Sequence, residues 1–276
     1  MSTSQTSIPL TALRSSVRLS DRYTLAALDA AADTPLLGLA DADRPVLLPA
    51  AAGHVLVAAG AGGGTTSVLR SLAAQALALG ARVDVIDPSN TAQAWARGLP
   101  GVTYLSRIAA IHDHLLLTVA ALQDGCADWD GGWPGRRVLV VENTGTVAYG
   151  LRQYWMHTRP ETQLEEAPGV EALAVLLATG CSFGVQVLAG NPRGDIPGLG
   201  HVPTHQVFTT RLLACGGPTL WKRVAPEIWA PPAGSAIPGR MHLVDEGRTT
   251  AVQGLYFTDD EARTFARGLP TPRRTA

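Results

Sequence analysis

The run Gly60-Ala61-Gly62-Gly63-Gly64-Thr65-Thr66-Ser67 sets glycines and hydroxyls between a short apolar run, His54 to Ala58, and a stretch of helically spaced apolar residues, Ser67 to Leu79. A glycine-rich turn from strand into helix is a phosphate cradle, because free backbone amides and the positive end of the helix converge on one anion. At full strength the pattern reads G-x-x-x-x-G-K-[ST], with lysine neutralising the β- and γ-phosphates and the last hydroxyl ligating Mg²⁺. Here Ser67 keeps the hydroxyl, Thr65 stands at the final glycine and Thr66 at the lysine. The chain holds a single lysine, Lys222, far from this loop. Removing a close cation from a triphosphate in a water-poor site costs on the order of several kcal/mol in ground-state and transition-state stabilisation. The amides of Gly60 to Ser67 are left to bind nucleotide weakly, and hydrolysis is not expected.

A second chemical position follows the apolar run Val138 to Val141, where the chain reads Glu142-Asn143. Two acids after such a strand would hold Mg²⁺ and polarise an attacking water. One acid remains, and the Asn143 amide cannot act as a carboxylate base. Ser67 and Glu142 are therefore the candidate Mg²⁺ ligands. Taken alone each feature has a plainer reading: a strand-to-helix connector for the loop, a solvated turn residue for Glu142.

These positions need elements that hold them. Val83 to Ile86 and Val185 to Leu188 read as further buried strands, and Gly169 to Ala178 as a helix, so strands alternate with helices. That order predicts a mostly parallel α/β sheet covered on both faces, with ligands at the strand carboxyl ends after Val57, Ile86, Val141 and Leu188. Ahead of it, Asp21 to Ala32 reads as a short helix ending before Pro35, and Leu36 to Leu48 as a β-hairpin turning at residues 41–45. The expected organisation is an N-terminal arm over 1–35, one P-loop domain over 36–269 and a frayed tail over 270–276.

Composition narrows the function classes. Hydrophobic residues make up 46% and charged residues 16%, which describes a folded chain rather than a disordered one. The net charge of −1 gives no global field for nucleic acid, so any DNA contact must be a local patch. Cys126, Cys181 and Cys215 show no metal spacing, and no leader or membrane-length apolar run is evident, which predicts a cytoplasmic protein in a reducing compartment.

With these elements in order, the chain resembles the soluble FtsK/SpoIIIE-type domains of high-GC actinobacteria, relatives of DNA translocases. The segments that carry the resemblance are HVLVAAGAGGGTTSVLRSLAAQAL (54–77), VDVIDPSNTAQAWARGLPGVTYLSRIAAIHD (83–113), LRQYW (151–155), FTTRLLA (208–214), WKRVAPEIW (221–229) and PGRMHLV (238–244). The resemblance implies a RecA-like P-loop NTPase with ATP and Mg²⁺ as cofactors. It lays the phosphate loop on Gly60 to Ser67, the acidic pair on Glu142 and Asn143, the sensor glutamine on Asn191, and a motif arginine on Arg211. Arg211 keeps the family's residue type, while the loop lysine, the second acid and the sensor glutamine are each changed. Family members form rings on double-stranded DNA, which implies a homo-oligomer, or a hetero-oligomer with an active relative, and a possible DNA partner.

The leading expectation is a catalytically impaired pseudo-ATPase with an assembly or DNA-associated role. One alternative is an active ATP-dependent DNA translocase that borrows a cation from Arg70, Arg211 or a neighbouring subunit. Another is a scaffold that binds no nucleotide. Among other features, His112 and His114 point to different sides of a helix, so His112-Asp113-His114 reads as an exposed helix rather than a metal site. Trp95, Trp155, Trp221 and Trp229 read as core or interface anchors, and Arg136-Arg137 and Arg152 to Arg159 as solvating basic spots.

Overall fold

Within the apolar runs, neighbouring residues point to opposite sides, so each such strand has to be covered on both faces. The computed structural model describes residues 13–49, 52–123, 135–159, 166–194, 203–214 and 217–268. The chain opens with β1 (Val17–Arg18), α1 (Arg22–Ala31), β2 (Leu36–Leu39) and β3 (Pro45–Leu47). Then come β4 (Val55–Ala58), α2 (Thr65–Ala78), β5 (Arg82–Ile86), β6 (Val102–Leu105) and α3 (Ile108–Gln123). They are followed by β7 (Arg137–Val141), α4 (Thr144–Thr158), α5 (Pro168–Thr179) and β8 (Val185–Gly190). The last elements are α6 (Thr204–Val207), β9 (Thr210–Leu213), α7 (Pro218–Val224), β10 (Arg240–Asp245), β11 (Arg248–Tyr256) and α8 (Asp259–Ala266).

The described strands form one sheet in the order β3-β2-β11-β10-β9-β4-β8-β7-β5-β6, with β1 added beside β11. From β9 to β6 every pairing is parallel. From β9 to β3 every pairing is antiparallel. Val55 and Val57 of β4 enter the apolar layer beneath α2 and α8, whereas Leu56 and Ala58 enter the layer beneath α3, α4, α5 and α7. The chain leaves β4 for β5 and β6, returns through β7 and β8, and then crosses β4 to reach β9. β4 is thus the switch point of the parallel sheet, where a crevice opens beyond the strand carboxyl ends. The fold is the mostly parallel α/β sheet that the sequence implied.

Several expectations change on contact with the fold. His112 is buried, and His114 Nε2 lies 3.1 Å from Asp84, a carboxylate buried beneath α3, so this stretch is an inner helix face and not an exposed one. Arg137 also bonds Asp84, and Arg136 donates to Gln186 at 3.2 Å, so this pair ties down strand ends. Trp95 and Trp221 are core residues, yet Trp229 is 97% exposed. In the antiparallel half of the sheet, β2 and β3 form the expected hairpin over 36–48, whereas β9, β10 and β11 carry no strand expectation from the sequence. Cys126, Cys215 and the expected tail at 270–276 lie outside the described residues; Cys181 is a free thiol. No described helix is long and apolar enough to cross a membrane.

Candidate functional site

The loop after β4 turns back on itself through glycines. Gly60, Gly62 and Gly64 have φ of 69°, 73° and 105°, in the left-handed region where a side chain is strained. Gly63 is held by space instead: a Cβ there would lie 1.7 Å from the Ala59 carbonyl oxygen. Gly64 is the N-cap of α2, so Thr65 is already helical and needs no glycine's freedom. The Thr65 hydroxyl accepts the Ala59 N–H at 3.4 Å, stitching the two ends of the loop together. The turn therefore closes with threonine in place of its last glycine. Among the described hydrogen bonds, the N–H groups of Gly64, Thr65, Thr66 and Ser67 have no protein acceptor. They are the orphan donors of a helix start, available to an anion.

Across from them stands the acidic wall. A cleft of about 540 Å³ is lined by the loop, by Asp87 and Ser89 after β5, and by Glu142 and Asn143 after β7. The Thr66 hydroxyl, at the lysine position, donates to one oxygen of Glu142. Gln93 Nε2 donates to the other at 2.6 Å and to the Thr66 carbonyl at 3.1 Å. Gln93 is itself fixed, its Oε1 accepting from Trp95 Nε1 at 2.7 Å. Burial pushes the Glu142 carboxyl above the usual carboxylate range, against the pull of the Gln93 and Thr66 hydrogen bonds; the Asp87 charge adds to the rise. Burial also works against the Asp87 carboxylate, yet hydrogen bonds from Gln93, Ser89 and Tyr104 outweigh it and hold that group low.

Asn143 is engaged locally. Its Oδ1 accepts the Thr146 N–H at 3.0 Å and caps α4, a role that asparagine and aspartate fill about equally well. Asn191, at the end of β8, is buried behind the cleft: its Nδ2 donates to Thr144 Oγ1 at 3.1 Å and its Oδ1 accepts the Arg193 N–H at 2.9 Å. Its bond to Thr144 links it to the start of α4, which borders the cleft.

Neither Arg70 nor Arg211 lines this place, although the Arg70 charge pulls on Glu142 from outside it. Arg70 donates to the Phe257 carbonyl at 3.0 Å and pairs with Asp259 at 2.9 Å. Arg211, 3% exposed, pairs with Glu227 and donates to the Val224 carbonyl at 3.1 Å, closing the carboxyl end of α7. It lines a separate space with Asp245 and Glu246 towards the amino end of β9, whereas the glycine loop follows the carboxyl end of the neighbouring parallel strand β4. Arg211 is thus parted from Gly60–Ser67, Glu142 and Asn143, which the fold does bring together.

The cleft combines an anion-binding wall of amides with two carboxylates, and no cation lines it among the described residues. The Ser67 hydroxyl and the Glu142 carboxylate are hard oxygen donors of the type Mg²⁺ takes. No group of three or more His, Cys, Asp or Glu that would hold a metal is found among the described residues, so such an ion would complete its shell with water and ligand oxygens. Sequence reasoning marks the loop after Ile86 but assigns no role to Asp87 or Gln93. Asp87 had a signal in its place directly after a buried strand, and Gln93 had none.

No family model matches the chain, and no curated protein matches it. Solved structures do. The cytoplasmic domain of the Thermomonospora curvata type VII secretion ATPase EccC is similar at 17% identity with a TM-score of 0.64, covering 89% of this chain and 28% of that one. The pCW3 conjugation coupling protein TcpA, in its monomer form with ATPγS, is similar at 15% identity with a TM-score of 0.65, covering 92% of this chain and 74% of that one. EssC (ATPases 2 and 3) from Geobacillus thermodenitrificans is similar at 14% identity with a TM-score of 0.60, covering 86% and 48%. The chain thus spans little more than a quarter of EccC and about half of the EssC structure. At these identities the likeness establishes the fold, which is that of FtsK/SpoIIIE-type P-loop ATPase domains.

Proposed function

We propose that the chain is a nucleotide-binding pseudo-ATPase of FtsK/SpoIIIE type, which takes a nucleoside triphosphate on its glycine loop without turning it over. The observation that carries this reading is the cleft itself: the loop keeps its wrap and its free amides, while the lysine position holds a threonine bonded to Glu142. Ser67 and Glu142 would hold Mg²⁺, which when bound supplies positive charge beside the phosphates. The chain's own contribution is positional. The amides from Gly64 to Ser67 seat the phosphates, and Gln93 and Thr66 fix the Glu142 carboxylate in place. Asn143, committed to capping α4, leaves no carboxylate to take a proton from an attacking water.

A bound nucleotide in such a domain is structural, holding the loop and the strand ends in one arrangement. That suits an assembly role beside an intact relative, or a DNA-associated one. Titration with a fluorescent ATP analogue in Mg²⁺, with phosphate release followed with and without double-stranded DNA, tests the reading. Saturable binding with background phosphate release is the expected result. Brisk Mg²⁺-dependent release makes the chain a translocase-type ATPase, and no binding at all makes it a scaffold; either outcome overturns the proposal.

A further inference from the structure

The glycine loop has a second side. Gly62, Gly64 and Ser67 line the cleft that faces Glu142, and they also line a cavity of about 310 Å³ behind it. The N-terminal arm at Ser15 to Arg18, the Pro238-Gly239 turn and the end of β11 at Tyr256 close this cavity. No carboxylate lines it, and of all described residues lining the two spaces Arg18 is the one cation. The Arg18 guanidinium lies 5.7 Å from the centre of the Tyr256 ring, and the side chain has no ion pair among the described salt bridges.

This wall is built rather than draped. Arg240, nearly buried, donates to the Leu13 carbonyl at 3.0 Å and to the Arg14 carbonyl at 2.6 Å, fixing the arm where it enters. β1 then runs parallel to β11, with Val17 opposite Leu255 and Arg18 opposite Tyr256, and the Arg18 N–H donates to Asp21 at 2.9 Å. Val17 is wholly buried, so strand alternation turns Arg18 the other way. The turn at Gly239 donates its N–H to the Gly63 carbonyl at 2.9 Å, which couples the back of the cavity to the loop.

A triphosphate seated on amides alone keeps its charge, and the nearest walls of the cleft are acidic. Mg²⁺ on Ser67 and Glu142 would offset only part of that charge; any further side-chain cation has to come from beyond these walls, and a guanidinium is the side chain best shaped to meet phosphate oxygens or the face of a base. A space of this size, one wall aromatic and the rest small, suits the nucleoside portion of a ligand. We infer that the N-terminal arm completes the nucleotide site: the cavity behind the loop receives the nucleoside half of a nucleoside triphosphate, and Arg18 supplies the positive charge that Thr66 does not. This inference rests on the phosphate-loop reading above.

Calorimetric titration of ATP and of inorganic tripolyphosphate, both with Mg²⁺, into the full chain and its Arg18→Gln and Arg18→Lys variants tests it. ATP is expected to bind at least about tenfold more tightly than tripolyphosphate, Arg18→Gln to lose about tenfold of the ATP affinity, and Arg18→Lys to keep most of it. Melting temperatures should not move, because Arg18 is exposed. Equal affinity for the two ligands, or an unchanged Arg18→Gln, overturns this inference while leaving the phosphate loop standing. Equal losses in both variants overturn the assignment of charge. Failure of both ligands to bind overturns the phosphate-loop reading along with it.

Discussion

Thr66→Lys restores one positive charge to the place where the loop lacks it, and its effect follows from the side chain's present position. The Thr66 hydroxyl reaches Glu142, so a longer side chain from the same Cα enters the cleft between that carboxylate and the loop amides. A unit charge about 4 Å from a phosphate oxygen is worth about 4 kcal/mol at an effective dielectric of about 20. Glu142 competes for the new ammonium, and forming one charge-assisted contact at the expense of another leaves about 1.5 to 3 kcal/mol. Nucleotide affinity should rise about ten- to a hundredfold. Titration of a fluorescent ATP analogue against Thr66→Lys, with Thr66→Met as the uncharged control, measures it. Phosphate release should stay at background, since Asn143 still caps α4. Thr65→Gly need not accompany the change: it removes the bond from Ala59 N–H and costs about 0.3 kcal/mol of helix propensity relative to threonine. A Thr66→Lys protein that melts like the parent yet binds no better than Thr66→Met would refute the account of the loop as an intact cradle lacking only charge.

Two further outcomes concern parts of the fold that hold the site. Burial depresses the His54 pKa from 6.5 to about 4, so the folded protein keeps this ring neutral where the unfolded chain would protonate it. Stability is then fully present above about pH 6.5, falls by about 3 kcal/mol as pH drops towards 4, and levels off below. His242, also depressed by burial, acts in the same direction. Urea unfolding at several pH values checks this, and His54→Gln should flatten the slope while losing the bond from the Val187 N–H. Glu227→Ala strands the buried Arg211 guanidinium and should cost about 2 kcal/mol, discounted because Glu227 is partly exposed. Nucleotide affinity should be unmoved, and a matching loss of affinity would return Arg211 to the binding machinery.

Much of the site is written locally. The strand-loop-helix order at 55–78, the strand ending before Glu142 and the strand ending before Asn191 follow from runs of apolar residues and from glycine. Those features depend on neighbours within a few residues, and periodicity reports them directly. The missing lysine and the amide at Asn143 could be read from residue types alone. What no local pattern carried is which distant side chains meet. Gln93 lies 49 residues from the Glu142 it holds, and Thr66 lies 76 residues from it.

Such meetings depend on strand order, because β4 and β7 are separated by β8, and only the assembled sheet brings the three carboxyl ends to one crevice. The same packing ties Arg211 to Glu227 towards the opposite, amino end of the parallel strands and carries the arm, by way of β11, to the back of the glycine loop. Composition and spacing determined that a phosphate cradle without its cation would form. Tertiary packing alone decided which charges can reach it, since electrostatic interaction follows distance and burial and not position along the chain.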